Sequence, residues 1–463
     1  MHKEVLRMDL RDWLGTAVDR IGSWQAEYGQ FDEHASATVT DAELEAPFGE
    51  FVKRLRDNYP FFHPRYAGQM VKPPHPVAIV GYLTAMLINP NNHDSEGGPA
   101  TACMEREAVA QLATMFGFPE HLGHLTTGGT LANLEALFVA RETHPGLGVA
   151  YSADAHFSHK RMCHVLGMES HSVPVDAAGR MDMTALEELV RMGRIGTVVL
   201  TVGTTGLGAV DPVHEALTLR EKYGFRIHVD AAYGGFLTLI ADDSEDGVAA
   251  APFTAIASCD SVTVDPHKHG LQPYGCGAVI FADPSVGRFY KHDSPYTYFM
   301  SDELHLGEIA LDTSRAGAAA AGLWLTFQVL PPTPAGLGRV IRPGRRAALR
   351  WAAMIEGNEQ LSLYQQPELD IVSFLPTASR MSDVDRLSSA VMRSGMNADK
   401  EDAVFVAAFE VTADAMKARN HPVELDAAKA KILRSVLLKP ESEAWVDYLN
   451  TRLADFTKRA RDL

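Results

Sequence analysis

Cysteine is scarce and scattered: the four in 463 residues, Cys103, Cys163, Cys259 and Cys276, form no CxxC pair. That spacing argues against a zinc site or a disulfide framework and fits a reducing cytoplasm. No apolar run approaches the ~18 residues needed to cross a bilayer. The longest candidate, AGAAAAGLWLTF at 316–327, reads as a buried helix. The first residues, MHKEVLRMDLRDWLG, lack the apolar stretch of a secretory signal. Lysine and arginine form no long block, and the net charge of −17 disfavours a nucleic-acid partner. The glycine signatures GxGxxG and GxxxxGKS/T are missing, so dinucleotide and P-loop readings are disfavoured. A soluble protein with no membrane, nucleic-acid or metal partner is expected.

What is present is ordinary globular composition, with 46% apolar and 22% charged residues, spread over a chain too long for a single core. Residues 1–75 read as an N-terminal helical arm and hinge. LRDWLGTAVDRIGSWQ and LEAPFGEFVKRL carry helical spacing, and PFFHPRYAGQMVKPPHP at 60–76 is irregular. Residues 76–335 read as a large domain. Helices such as MEREAVAQLATMFGF and TLANLEALFVARE alternate there with the strands GVAYSA, TVVLTVG, RIHVDAAY, SVTVD and GAVIFA. Continuous Val/Ile/Leu strands between helices predict an α/β fold whose sheet is mostly parallel. A stretch at about 288–313 has no clean period and is expected to be a mobile loop. Residues 336–463 read as a small α+β domain. GRRAALRWAAMIEG, DAAKAKILRSVLL and AWVDYLNTRLADFTKR are expected helices there, and DIVSFL and AVFVAAFEV strands.

Five segments carry chemistry. Lys268, in Asp265-Pro266-His267-Lys268, follows the strand SVTV. An amine at a strand end can attack an aldehyde cofactor, although a lysine after a strand is more often simply exposed. Asp230, in HVDAAY, ends an apolar strand. A carboxylate there needs a cation, and a protonated pyridine nitrogen would serve; a metal ion or a helix cap are the other readings. Thr126-Thr127-Gly128-Gly129-Thr130 opens a helix whose first N–H groups, with the Thr130 hydroxyl, can take a phosphate. His156 follows another strand and can stack on a flat ring, although in a chain with 19 histidines most are structural. His159, His267 and His269 are therefore second-tier. Thr204 and Thr205 end TVVLTV, where a hydroxyl either meets a cofactor or closes a turn.

In order, TTGGTLAN, AHFSHK, GTTGLGAVDP, HVDAAYGG and DPHKHGLQPYGCG resemble the group II pyridoxal-phosphate-dependent decarboxylases, which include aromatic amino-acid, tyrosine, glutamate and aspartate decarboxylases. The resemblance covers roughly residues 60 to 330. It implies the type I, aspartate-aminotransferase-like fold, a homodimer with active sites at the subunit interface, and pyridoxal 5′-phosphate as cofactor. By motif, Lys268 matches the Schiff-base lysine and Asp230 the partner of the pyridine nitrogen. His156 matches the histidine stacked on one ring face, with Ala232 under the other, and Thr205 lies near the ring substituents. Gly129, Thr130 and His267, and with them Asp265, match phosphate-contacting positions. A loop tyrosine, often from the neighbouring subunit, protonates Cα in this family, and Tyr296 and Tyr298 are the candidates. Ser314-Arg315-Ala316-Gly317 resembles the segment after that loop, at the dimer seam.

The implied reaction is loss of CO2 from an L-amino acid, aromatic or acidic. The stretch after Lys268 is also similar to sphingosine-phosphate-lyase-like members, so carbon–carbon lysis stays open, as do aldehyde-forming decarboxylation and transamination. The substrate pocket is expected around His63, Tyr66, Gln69, Asn91, Asn92 and His93. Phe61, Phe62 and Tyr66 would suit an aromatic substrate, and Arg65 or Lys72 an acidic one.

Overall fold

A computed structural model describes residues 8–93, 96–291 and 306–462. Two sheets organise it. The first has seven strands: β1 (Leu122–Thr126), β2 (Gly148–Ser152), β3 (Ser170–Val173), β4 (Ile195–Thr201), β5 (Arg226–Asp230), β6 (Ser261–Val264) and β7 (Gly277–Phe281). Their order is β1-β7-β6-β5-β4-β2-β3. All neighbours are parallel except β7, which runs antiparallel to both β1 and β6. The sheet is thus mostly parallel, as the strand–helix alternation predicts. β4 is buried at every position, which is what a strand covered on both faces requires.

Helices α1 (Leu10–Ala26) and α2 (Asp41–Leu55) fall in the segment expected to be an arm, and α2 starts at a complete capping box between Thr40 and Glu43. α3 (Pro76–Met86) lies outside the elements read from sequence. It packs on Gly317–Val329, where Gly81 faces the Ala321 carbonyl and Gly322 so closely that a Cβ would meet them at 3.0 Å. α4 (Pro99–Phe116) and α5 (Gly129–Thr143) follow, then α6 (Ser158–Leu166).

The second sheet comprises β8 (Leu361–Gln365), β9 (Ile371–Pro376), β10 (Ala407–Thr412) and β11 (Lys429–Val436), antiparallel in the order β10-β11-β9-β8. One expectation fails here: DAAKAKILRSVLL is not a helix but contains the central strand β11. Lys429 and Lys431 face solvent while Ala430 and Ile432 are buried, a period of two. The Ala and Lys residues suggested a helix, and pairing on both edges overrode that preference. The 60–76 segment is irregular as expected and joins this sheet's surroundings, with Ala67 N donating to Phe405 O and Val436 N to Ala67 O. Of the expected 288–313 loop, the described ends are packed: Tyr290, Leu306 and Ile309 are buried in one apolar cluster. The rest, including Tyr296 and Tyr298, lies outside the described residues.

Candidate active site

Parallel strands place their carboxyl ends on one edge of a sheet, where a crevice opens between the loops that follow them. β2, β4, β5 and β6 deliver His156, Thr205, Asp230 and Lys268 to that edge, and β1 delivers the glycine turn. All of these line one cavity of about 260 Å³, together with Gly129, Thr130, Ala232, Asp265 and His267. Every described residue that the resemblance assigns to catalysis or to the cofactor therefore borders the same space.

The glycine turn is shaped by close approach. Gly128 has φ +153, a region L side chains rarely enter, and a Cβ on Gly277 would sit 2.6 Å from Gly128 Cα. α5 begins immediately after with no side-chain cap, so the amides of its first turn open onto the cavity. His267 borders the turn, its Cε1 3.4 Å from where a Gly128 Cβ would stand. Its Nδ1–H donates to Cys276 O at 2.8 Å. Nε2 can thus donate to an anion only when the ring is protonated; burial lowers its pKa, and an anion would oppose that.

At the opposite electrostatic pole, Asp230 is buried. One carboxylate oxygen accepts from Ala232 N at 3.2 Å and the other from His159 Nε2 at 2.8 Å. Burial alone would raise its pKa, but the His159 hydrogen bond and the nearby His159, His228 and Lys268 hold it well below the usual carboxylate range. Lys268 Nζ meets Asp265 Oδ2 at 2.9 Å. Asp265 therefore serves the amine as its counter-charge rather than a phosphate, which a carboxylate would repel. Asp265 Oδ1 is buried without a hydrogen-bond partner among the described residues. His156 is half-buried, with Nδ1 held by Ser158 Oγ at 2.7 Å, and burial lowers its pKa. Thr204 and Thr205 divide the two roles left open: the Thr204 hydroxyl accepts from Ala209 N and closes the turn, while Thr205 borders the cavity.

The expected substrate residues fare unevenly. Asn92 is fully buried and tied to Thr101 and Glu105, a structural role. Arg65 Nη1 donates to Lys400 O, Lys72 Nζ to Leu438 O, and the His63 ring packs on Trp445. None of these, nor Asn91 or His93, lines the cavity. Arg315 is held inside the chain by Glu105 at 2.5 Å. Gln69 does reach the site's surroundings, accepting from Arg434 Nη2 at 3.2 Å.

Arg434 is the residue the sequence reading missed, because it sits in the segment taken for a helix. It is buried, and its other donors go to Thr205 O and Gly68 O. Among the described residues no carboxylate pairs with it, and its Nε has no partner. It lines a second cavity of about 310 Å³ with Asp154, Phe157, Gly206 and Phe409, which shares His156 and Thr205 with the first.

An uncapped helix start for a phosphate, a buried anion for a ring nitrogen and an amine between them fit pyridoxal phosphate. Fold and cavity define a pyridoxal-dependent enzyme of the type I α/β class. More closely, the pyridoxal-dependent decarboxylase conserved domain matches residues 59–376, and the chain belongs to that family. The L-tyrosine decarboxylase of Enterococcus faecium is 29% identical over 390 residues, 63% of this chain, and the chain spans 64% of that protein's length. A probable L-aspartate decarboxylase of Halobacterium salinarum is 34% identical over 270 residues, 58% of this chain and 72% of that protein. Among solved structures, Oryza sativa TDC with PLP and tryptamine superposes with TM-score 0.77 at 19% identity, covering 99% of both chains. The glutamate decarboxylase domain from Vibrio parahaemolyticus gives TM-score 0.75 at 20% identity, covering 99% of this chain and 98% of that one.

Proposed function

We propose that the chain binds pyridoxal 5′-phosphate at Lys268 and removes the α-carboxyl group of an L-amino acid as CO2. The observation that carries this reading is the meeting of Lys268, Asp230, His156 and the open start of α5 on one cavity. When bound, the cofactor supplies an aldehyde carbon and an electron-poor ring able to accept the electrons of a broken Cα bond. Lys268 supplies the attacking amine, and Asp265 holds it in place as an ion pair until the proton is given up. Asp230, a buried anion, favours a protonated ring nitrogen over a neutral one. The His156 ring offers a flat face that fixes the plane of an aromatic group. Gly129 and Thr130 offer first-turn N–H groups to the phosphate, with His267 beside them. Ala232 keeps the opposite face shallow, and Thr205 borders the ring's edge.

Arg434, a buried cation without a paired carboxylate among the described residues, is suited to a substrate carboxylate. The second cavity then takes the side chain, with Phe157 and Phe409 offering rings and Arg434 a cation. Tyrosine and aspartate, the substrates named for the relatives, head the candidates. A loop tyrosine, Tyr296 or Tyr298, is the proposed proton donor to Cα. The working unit is proposed to be a homodimer. Phe48, Phe51 and Leu55 of α2 are each at least half exposed in the single chain, an apolar face that a second copy would cover. All four cysteines are free, which supports a cytoplasmic setting. No described helix is long and apolar enough to cross a membrane. The reading is tested by measuring CO2 and amine from a panel of L-amino acids with the cofactor supplied. Stoichiometric CO2 with amine is expected. Aldehyde without CO2 would indicate carbon–carbon lysis, and consumption of a 2-oxoacid transamination.

A further inference from the structure

His159 has no part in the mechanism above, yet it is the closest side chain to the Asp230 carboxylate. It stands in the first turn of α6 and is completely buried, its ring stacked on Tyr151 with centroids 6.1 Å apart and planes at 27°. Its Nε2 lies 2.8 Å from Asp230 Oδ2. Its other nitrogen, Nδ1, is buried and has no hydrogen-bond partner among the described residues. An unpaired buried N–H is costlier than an unpaired lone pair on a ring nitrogen, so the proton sits on Nε2 and is donated to Asp230.

A carboxylate at a strand end rotates unless both oxygens are held. Ala232 N holds Oδ1 at 3.2 Å, a long hydrogen bond, and His159 provides the short one on Oδ2. His228, on the same strand, cannot substitute, because its nitrogens are taken by Ser261 Oγ at 2.9 Å and Asn133 Oδ1 at 2.8 Å.

We propose that His159 is a positioning residue, whose Nε2–H locks the Asp230 carboxylate in the orientation that meets the cofactor's ring nitrogen. This rests on the pyridoxal-phosphate reading and adds a residue to it.

The test compares apo-protein affinity for pyridoxal phosphate with affinity for its 1-deaza analogue, in which carbon replaces the ring nitrogen. The ratio isolates the Asp230 contact, because phosphate, aldehyde and ring stacking are common to both ligands. Wild type should prefer the natural cofactor. His159→Gln, which keeps an amide donor at similar reach, should retain that preference to within about threefold. His159→Phe and His159→Met, which fill the space without a donor, should lose about tenfold of it, the loss of one charge-assisted hydrogen bond. In the loaded enzyme kcat should fall while KM for the amino acid stays constant. A merely structural residue would weaken both ligands equally; an unchanged ratio in the donor-free variants, or its loss in His159→Gln, overturns the proposal. Failure of wild type to bind pyridoxal phosphate would instead remove the reading beneath it.

Discussion

Lys268 and Asp230 face each other across an electrostatic problem that neither solves alone. The amine must be kept at the cavity and give up its proton before it attacks, and Asp265 at 2.9 Å positions it there. Lys268→Ala should abolish the visible absorbance of bound cofactor and lower turnover by at least ~10³-fold, as removal of a covalent nucleophile does. Spectra and kinetics on the same sample check both. Asp230→Ala removes the anion and leaves the His159 donor buried without an acceptor. It should weaken cofactor binding and also lower stability by roughly 1–3 kcal/mol, the cost of an unsatisfied buried polar group, as read by urea denaturation of the apo-protein. At this scale the sequence was most legible. Lysine, aspartate and glycine in ordered motifs announce their chemistry because few other roles require them at strand ends. Arg434 was not legible, because nothing local distinguishes a buried guanidinium from a surface one in AKILRSVLL.

Among the elements, long helices with a single apolar face and fully apolar strands were readable. β1 and β3 were not, because LGHLT and SHSV are short and polar and depend on their neighbours for their conformation. β11 was misread because alanine and lysine favour helices, whereas the alternation that fixes its register spans only four residues. The antiparallel course of β7 follows from its connection to β6 and leaves no trace in composition. Just after β11, Lys439 Nζ donates to Tyr66 O and lies 5.3 Å from the centre of the Tyr66 ring, pinning the 60–76 segment to the second sheet's surroundings. Burial pushes its pKa down to about 8, with Glu441 opposing. A lysine whose folded pKa is depressed binds fewer protons folded than unfolded, so its contribution to stability rises with pH between about 8 and the unfolded value of about 10.4. The stability of Lys439→Met relative to wild type should therefore be greater at pH 7.5 than at pH 10, as chemical denaturation at the two values will show. A constant difference would place the lysine in water.

For the molecule as a whole, α1 and α2 are the least buried helices among the described residues. α2 buries none of its residues, although Phe48 and Phe51 line one side of it. A helix of this kind is stabilised by packing rather than by propensity, and a second copy is the partner proposed for it. Phe48→Glu with Phe51→Glu should convert a dimer into a monomer in analytical ultracentrifugation; an unchanged dimer would locate the interface elsewhere. The central claim concerns where the intact protein fixes its cofactor, and it is tested directly by loading with pyridoxal phosphate, reducing with borohydride, digesting and sequencing the modified peptide by mass spectrometry. A single pyridoxyl label on Lys268 is predicted. A label on another lysine, or none at all, would contradict the account.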